Sequence, residues 1–356
     1  MSFAGLSGLA FLISLAVAWL AREVANRRGV LDTPNVRSSH HIPVPRVGGV
    51  GIWAPCLALV SLLLLVDYIN QTDTRVAWAV ILGAAVLALT GLADDLRSGG
   101  LSPRLKYAGQ LGGALLTLYL AQEVLVPGLR EHWPLAVFAL LFQALWLTAF
   151  SNFVNFMDGA DGLVAGMGVL IFVGFAILGG SQWGSVALIG TVGAGASLGF
   201  LFFNRPPATI FMGDSGSLFL GFVWGALGLR LSLWSGGQFH GSGGQSLGAH
   251  AQALALVCIL LAPIWVDAVT TLLWRAALRK RLSEAHRDHL YQRILRAGSS
   301  HSTVSRLYWG YAACCVGAAL VAGAWPALGL GAGAFLVLLG IAAVLTLHRL
   351  GWAVRP

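Results

Sequence analysis

Long apolar blocks recur along almost the whole chain, and they decide what it can fold into. Eleven can be marked, at about 2–21, 48–66, 76–93, 105–125, 134–150, 163–180, 183–203, 209–230, 251–274, 304–323 and 327–348. Each is close to the ~20 apolar residues that an α-helix needs to cross the hydrocarbon core of a bilayer. Lipid offers no partner to a backbone N–H or C=O, so such a block is satisfied as a helix. Composition agrees, with 57% of the 356 residues hydrophobic and 10% charged, against ~25% charged in soluble domains. A water-faced fold has too few charges here to cover its surface. The expected fold is an all-α polytopic membrane protein, one domain over 1–356. It has eleven spans, or ten if 183–203 and 209–230, joined by a short turn at Pro206 and Pro207, are not two.

The basic residues orient it. With the N-terminus outside, 19 of the 22 Lys and Arg fall in loops on the inner side, and the outer set is Arg75, Arg130 and Arg230. This follows the positive-inside rule. It predicts a periplasmic N-terminus and a cytoplasmic C-terminus in a bacterial inner membrane. The first block has no basic residue before it and Arg22, Arg27 and Arg28 after it, the wrong order for a signal peptide. The formal charge of +8 is thereby a matter of topology, and no nucleic-acid binding follows from it. Cys56, Cys258, Cys314 and Cys315 lie inside apolar blocks without metal-ligand spacing, as small buried hydrophobes do.

The acids carry the chemistry. Five of ten aspartates, Asp94, Asp95, Asp158, Asp161 and Asp214, fall at the inner ends of different blocks. Like charges gathered on one face from three places in the chain call for a cation. Hard oxygen ligands suit Mg²⁺ or Mn²⁺, which commonly takes one or two carboxylates plus substrate phosphates. Taken singly, each aspartate could equally be a helix cap or turn residue. Gly213, Ser215 and Gly216 around Asp214 allow close backbone approach at a helix start, where phosphate is favoured. Lys106 and Arg104 can bring positive charge to the Asp94–Asp95 pair. Arg37, His40, His41 and Arg46 lie in the first inner loop, and His286, His289 and Arg293 in the last. The two histidines lack a second ligand pair for zinc and read better as phosphate or sugar contacts. Asp267, inside 251–274, is a functional candidate by its membrane depth, with a structural pairing to another helix the favoured reading. The expected site is thus built from loops 22–47, 94–106, 151–162, 204–217 and 275–303.

Four segments in order give the chain a family resemblance: Asp32-Thr-Pro-Asn-Val-Arg-Ser-Ser-His with Pro45-Arg-Val-Gly-Gly, Asp94-Asp95 through Lys106, Asn155 through Gly162, and Asn204 through Ser217. The chain resembles the polyprenyl-phosphate N-acetylhexosamine-1-phosphate transferases, glycosyltransferase family 4, relatives of the phospho-N-acetylmuramoyl-pentapeptide transferase. The resemblance implies Asp214 as principal Mg²⁺ ligand, Asp94 and Asp95 as the acidic pair, and Lys106 as the lysine that follows it. It implies that Asn155, Asp158, Gly159 and Asp161 form the loop holding metal and nucleotide. It also implies that Asn204 and Phe211 hold the uracil ring. The Ala285–Arg293 segment departs from the three consecutive histidines of the muramoyl branch and resembles the branch that starts O-antigen units.

The implied reaction joins a UDP-N-acetylhexosamine, 6-deoxy forms included, to undecaprenyl phosphate and releases UMP. Positioning and charge neutralisation govern phosphoryl transfer of this kind. Asp94 would deprotonate or orient the lipid phosphate, with Asp95 raising the pKa of one of the pair; an aspartyl–nucleotide double displacement is the open alternative. The implied partners are the UDP-sugar, undecaprenyl phosphate and membrane lipid, and a homodimer is open. A cation-coupled transporter is the rival from another class. Its binding residues belong at the membrane midplane, whereas these acids cluster at one face. A non-catalytic scaffold would leave the acidic loops without a purpose.

Overall fold

The computed structural model describes residues 2–33, 42–125, 133–180, 184–233, 247–281 and 286–349. The chain opens with α1 (Phe3–Arg28), a two-stranded antiparallel pairing of β1 (Leu31–Asp32) with β2 (Val44–Pro45), and α2 (Val50–Leu65). Then come α3 (Gln71–Leu96), α4 (Pro103–Leu120), the single turn α5 (Gln122–Leu125), α6 (Trp133–Met157) and α7 (Leu163–Leu178). The second half holds α8 (Ser185–Asn204), α9 (Gly213–Leu233), α10 (Leu247–Leu260), α11 (Ala262–Ala277), α12 (Leu290–Arg296), α13 (His301–Ala324) and α14 (Pro326–Arg349).

The helix starts follow local chemistry. Asn70, Ser102 and Ser300 each accept a hydrogen bond from the backbone three residues on, at 2.9, 3.4 and 3.1 Å. Such caps satisfy amides that have no partner inside the helix. Each apolar block of the sequence corresponds to a helix, apart from 105–125, which is α4 followed by the single turn α5, and 251–274. The latter block, expected as one helix, is α10 and α11 with an 82° bend between them. Pro263 lies in the first turn of α11 and has no N–H to continue the ladder. Among the described residues seven helices are long and apolar enough to cross a membrane, or eight with the bent pair as one span. Val50–Leu65 and Leu163–Leu178 are apolar but 16 residues long, and α4 falls outside both groups. The expected eleven includes these three.

Helix α9 is the centre of the bundle, with 94% of its apolar window buried, against 22% for α1 and 17% for α14. A helix apolar all round is one enclosed by others. Helices α3 and α6 flank it. Trp146 donates its indole N–H to the Gly225 carbonyl at 3.1 Å. At Gly91 a Cβ would stand 2.4 Å from the Asp214 backbone, so α3 and α9 cross almost backbone to backbone. Phe335, Leu338 and Leu339 of α14 point outward, 64%, 65% and 52% exposed, as side chains that face lipid would.

The α3–α8–α9 group carries polar clusters at opposite ends. At one end Asp73 meets Arg230 at 3.2 Å and the Ser185 hydroxyl at 2.7 Å. At the other the C-terminus of α3 meets the N-termini of α4 and α9, and the candidate site lies there.

Candidate active site

The last turn of α3 delivers Asp94 and Asp95, which point to different partners. Asp95 is 4% exposed. Its two oxygens accept the amides of Asp214 and Ser215 at 2.9 and 3.0 Å. A carboxylate at a helix N-terminus is favoured by the helix dipole, so Asp95 is the anchor that seats α9. Gly213, at φ +71°, makes the sharp entry, since that backbone region suits a residue without Cβ. Arg46, the residue after β2, locks the same corner by donating to the carbonyls of Asp95 and Arg97 at 2.9 and 3.2 Å.

Asp94 and Asp214 face each other across Lys106, whose Nζ is 3.0 Å from Asp94 Oδ2 and 2.7 Å from Asp214 Oδ2. Asp94 Oδ1 accepts the Leu101 amide at 2.6 Å. Asn155, from the end of α6, donates to Asp214 Oδ1 at 2.9 Å and to Ser217 at 3.0 Å. One oxygen each of Asp94, Asp95 and Asp214 lie within 4.8 Å of one another. Two unit charges this close repel by ~4 kcal/mol at an effective dielectric of 20, and the single positive charge of Lys106, shared between Asp94 and Asp214, is fewer than the three carboxylates call for. The donor set is all hard oxygen with negative charge to spare, so it fits Mg²⁺ or Mn²⁺.

Above this cluster lies a cavity of about 680 Å³. Asp94, Asp95, Asn155, Asp158, Gly159, Asp161, Asn204, Phe211, Asp214 and Arg46 all line it, as the sequence reading grouped them. Burial, and then the charges of Asp214, Asp95 and Asp161, push the Asp158 carboxyl up to about 8. Two members also serve as braces. Asp161 accepts the Ala208 amide at 3.0 Å and lies 3.3 Å from His301 Nδ1. Asn204 accepts from the Gly162 amide at 3.0 Å and donates to the Ile210 carbonyl at 2.9 Å. Phe211 is set by backbone pairing to the first loop, with its amide 2.7 Å from the Pro45 carbonyl and its carbonyl 2.9 Å from the Gly48 amide.

The last loop differs from its reading. His286, His289 and Arg293 are not among the residues lining the cavity. His289 is 2% exposed and turned to Asp267 at 3.4 Å. His286 packs on its ring at 5.0 Å, and burial with the positive charge around it pushes the His286 pKa down to about 4. Arg293 donates to the carbonyls of Asp288 and Leu347, both at 3.1 Å. The same segment sends Arg287, Gln292 and Arg296 to the wall, with His301 from α13 and Asp32 from β1. Arg287 and Arg296 were visible as part of the basic loop and Asp32 as part of a quoted motif. The short helix α12, which decides which side chains face in, had no apolar periodicity long enough to reveal it. Arg37, His40 and His41 lie outside the described residues.

The model of a family described as Glycosyl transferase family 4 matches residues 77–232. A probable undecaprenyl-phosphate N-acetylglucosaminyl 1-phosphate transferase of Bacillus subtilis (strain 168) is 31% identical over 302 residues, 82% of this chain and 78% of that protein. A decaprenyl-phosphate N-acetylglucosaminephosphotransferase of Mycolicibacterium smegmatis is 29% identical over 82% of this chain and 75% of its own. A phospho-N-acetylmuramoyl-pentapeptide-transferase of Listeria innocua is 34% identical over 178 residues, 46% of this chain and 55% of its own. None of these supports a transporter. The chain belongs to glycosyl transferase family 4, among the membrane enzymes that transfer a hexosamine 1-phosphate to a polyprenyl phosphate.

Proposed function

We propose that this protein moves an N-acetylhexosamine 1-phosphate, 6-deoxy forms included, from a UDP-sugar to undecaprenyl phosphate. UMP is released, and the product starts a lipid-linked cell-surface glycan of the O-antigen type. The work takes place at the cytoplasmic face of a bacterial inner membrane. One observation carries the reading: Lys106 held between Asp94 and Asp214 at the base of a cavity that also receives Arg46, Arg287 and Arg296. Carboxylates that can hold a divalent cation beneath a basic wall suit a diphosphate. The names of the relatives favour an N-acetylglucosamine-type sugar, and the Ala285–Arg293 segment favours the O-antigen branch over the muramoyl one.

A Mg²⁺ or Mn²⁺ ion, held by Asp214 with the carbonyl oxygen of Asn155, would supply charge neutralisation for the diphosphate. The chain's own residues do the rest. Arg287 and Arg296 bind the negative charge of the nucleotide, and Phe211 offers an aromatic face to the base. Asp94 orients the lipid phosphate and takes its proton where it carries one. An oxygen of the lipid phosphate then bonds to the sugar-bearing phosphorus. The bond from that phosphorus to the bridging oxygen breaks, and that oxygen leaves with UMP. Holding the two phosphates in line is the larger part of the task. The test is release of UMP by purified protein over a panel of UDP-sugars, with and without undecaprenyl phosphate. Release from a UDP-N-acetylhexosamine only when the lipid is present is the expected result. Release from none of them would overturn the proposal.

A further inference from the structure

Behind the cavity wall formed by α12 lies a second polar cluster that the reacting groups do not touch. Its centre is Asp267, 2% exposed in α11. Four donors converge on its carboxylate: the Tyr308 hydroxyl at 2.7 Å, the Leu290 amide at 3.0 Å, the Thr271 hydroxyl at 3.1 Å and His289 Nδ1 at 3.4 Å. A buried charge is tolerated only when it is hydrogen-bonded in this way. The donors come from α11, from α13 and from the two residues that begin α12.

The next residue, Tyr291, carries this anchorage forward. It is 1% exposed, and its hydroxyl donates to the Phe156 carbonyl at 2.9 Å. A Cβ on Gly159 would stand 2.2 Å from that hydroxyl, so the glycine lies directly against it. The Phe156 ring stacks on His289 at 5.8 Å. Asp158 sits between these two points of support, and Asn155, which holds Asp214, immediately precedes them. On the other side of α12, Gln292, Leu295 and Arg296 face the cavity. One buried carboxylate therefore secures a helix that backs the catalytic loop and walls the nucleotide cavity.

We propose that Asp267 is a positioning residue, which acts through His289, Leu290 and Tyr291 to hold the 155–159 loop and the α12 wall in register with Asp94 and Asp214. Its kinetic consequence rests on the transfer reaction above; its structural consequence does not. Two variants test it in the full-length purified protein. Asp267→Asn keeps the shape but weakens the common acceptor, and Tyr291→Phe removes only the hydroxyl. Segment-resolved hydrogen exchange is measured along with kcat, KM for the UDP-sugar and the thermal midpoint.

In Asp267→Asn the amides of 290–296 and of 155–162 should exchange faster together, while those around Asp73 and Arg230 stay unchanged. KM should rise on the order of tenfold, within the cost of small misplacements of substrate. Tyr291→Phe should loosen 155–162 alone. The double variant should be no worse than Asp267→Asn, because the two act in one chain of contacts. A purely structural role predicts a lower midpoint with unchanged kinetics per folded enzyme, and that result overturns the proposal. Unchanged exchange at 155–162 in both variants overturns it as well. Should Asp267→Asn fail to fold, Tyr291→Phe decides alone, and unaltered exchange at 155–162 counts against the proposal. Should the wild type transfer no UDP-sugar, the proposed function fails while exchange still judges the coupling.

Discussion

Replacing Asp214 by Asn removes one negative charge and leaves the outline of the side chain. Its two oxygens now accept from Lys106 at 2.7 Å and from Asn155 at 2.9 Å. An amide can accept from only one of them and must turn its NH₂ toward the other, donor against donor. One lost hydrogen bond costs ~0.5–1.5 kcal/mol. Relief of repulsion among three carboxylates within 4.8 Å offsets part of it. Stability should therefore change by no more than about 1 kcal/mol by the same reckoning. Activity should fall far more. Loss of the charge stabilisation that a bound divalent cation gives costs several kcal/mol of barrier, and each 1.36 kcal/mol is about tenfold in rate. Turnover should drop by roughly 10²–10³, with the Mg²⁺ requirement moved to higher concentration. UMP release and UDP-sugar binding, each titrated with Mg²⁺, measure both effects. Near-normal turnover in Asp214→Asn would refute the reasoning. Asp94→Asn should differ, losing turnover while keeping Mg²⁺-dependent binding of the nucleotide sugar. Lost binding there would move Asp94 into the metal shell.

Gly91→Ala places a methyl 2.4 Å from the Asp214 backbone, so thermal unfolding should show a loss of about 1–3 kcal/mol together with lost activity. The His286 pKa is depressed to about 4, so in the folded state the ring stays neutral over a range where the unfolded chain is protonated. Its share of stability is lost as pH falls from about 6.5 toward 4, and His286→Gln should flatten that decline in melts run across the range. Cysteines introduced at Ser242, outside the described residues, and at Ser299 test orientation by an impermeant thiol reagent in intact cells. Labelling is expected at Ser242 only, and labelling at Ser299 alone would reverse the orientation. The purified protein should turn over no muramoyl-pentapeptide nucleotide, and efficient use of it would remove the reading of the last loop.

Much of this was legible in the residues, for physical reasons. Lipid forces apolar blocks into helices, so the elements could be located before any packing was known. The break at Leu261 was not seen, because Pro263 lies among apolar residues and a first-turn proline reads the same in a straight or a bent span. The aspartates of the site were legible as a set, since five acids at one end of an apolar bundle need a common reason. Their individual duties were not. Asp95 looks like the twin of Asp94, yet both of its oxygens are taken by the amides that begin α9. Spacing along a chain does not reveal which way the last turn of a helix faces. His286, His289 and Arg293 failed to appear on the wall for the same reason. The last loop folds over Asp267 through contacts distant in sequence, and those contacts choose its inward face.

In the proposed transfer the sugar moves together with its phosphate. This is tested most directly with a UDP-N-acetylhexosamine carrying one radiolabel in the sugar and another in the phosphate next to it. Incubated with the protein, undecaprenyl phosphate and Mg²⁺, both labels should enter the lipid in equal amounts, with unlabelled UMP left in solution. Sugar label in the lipid with the phosphate label retained in UDP would rule out transfer of the sugar phosphate as a unit.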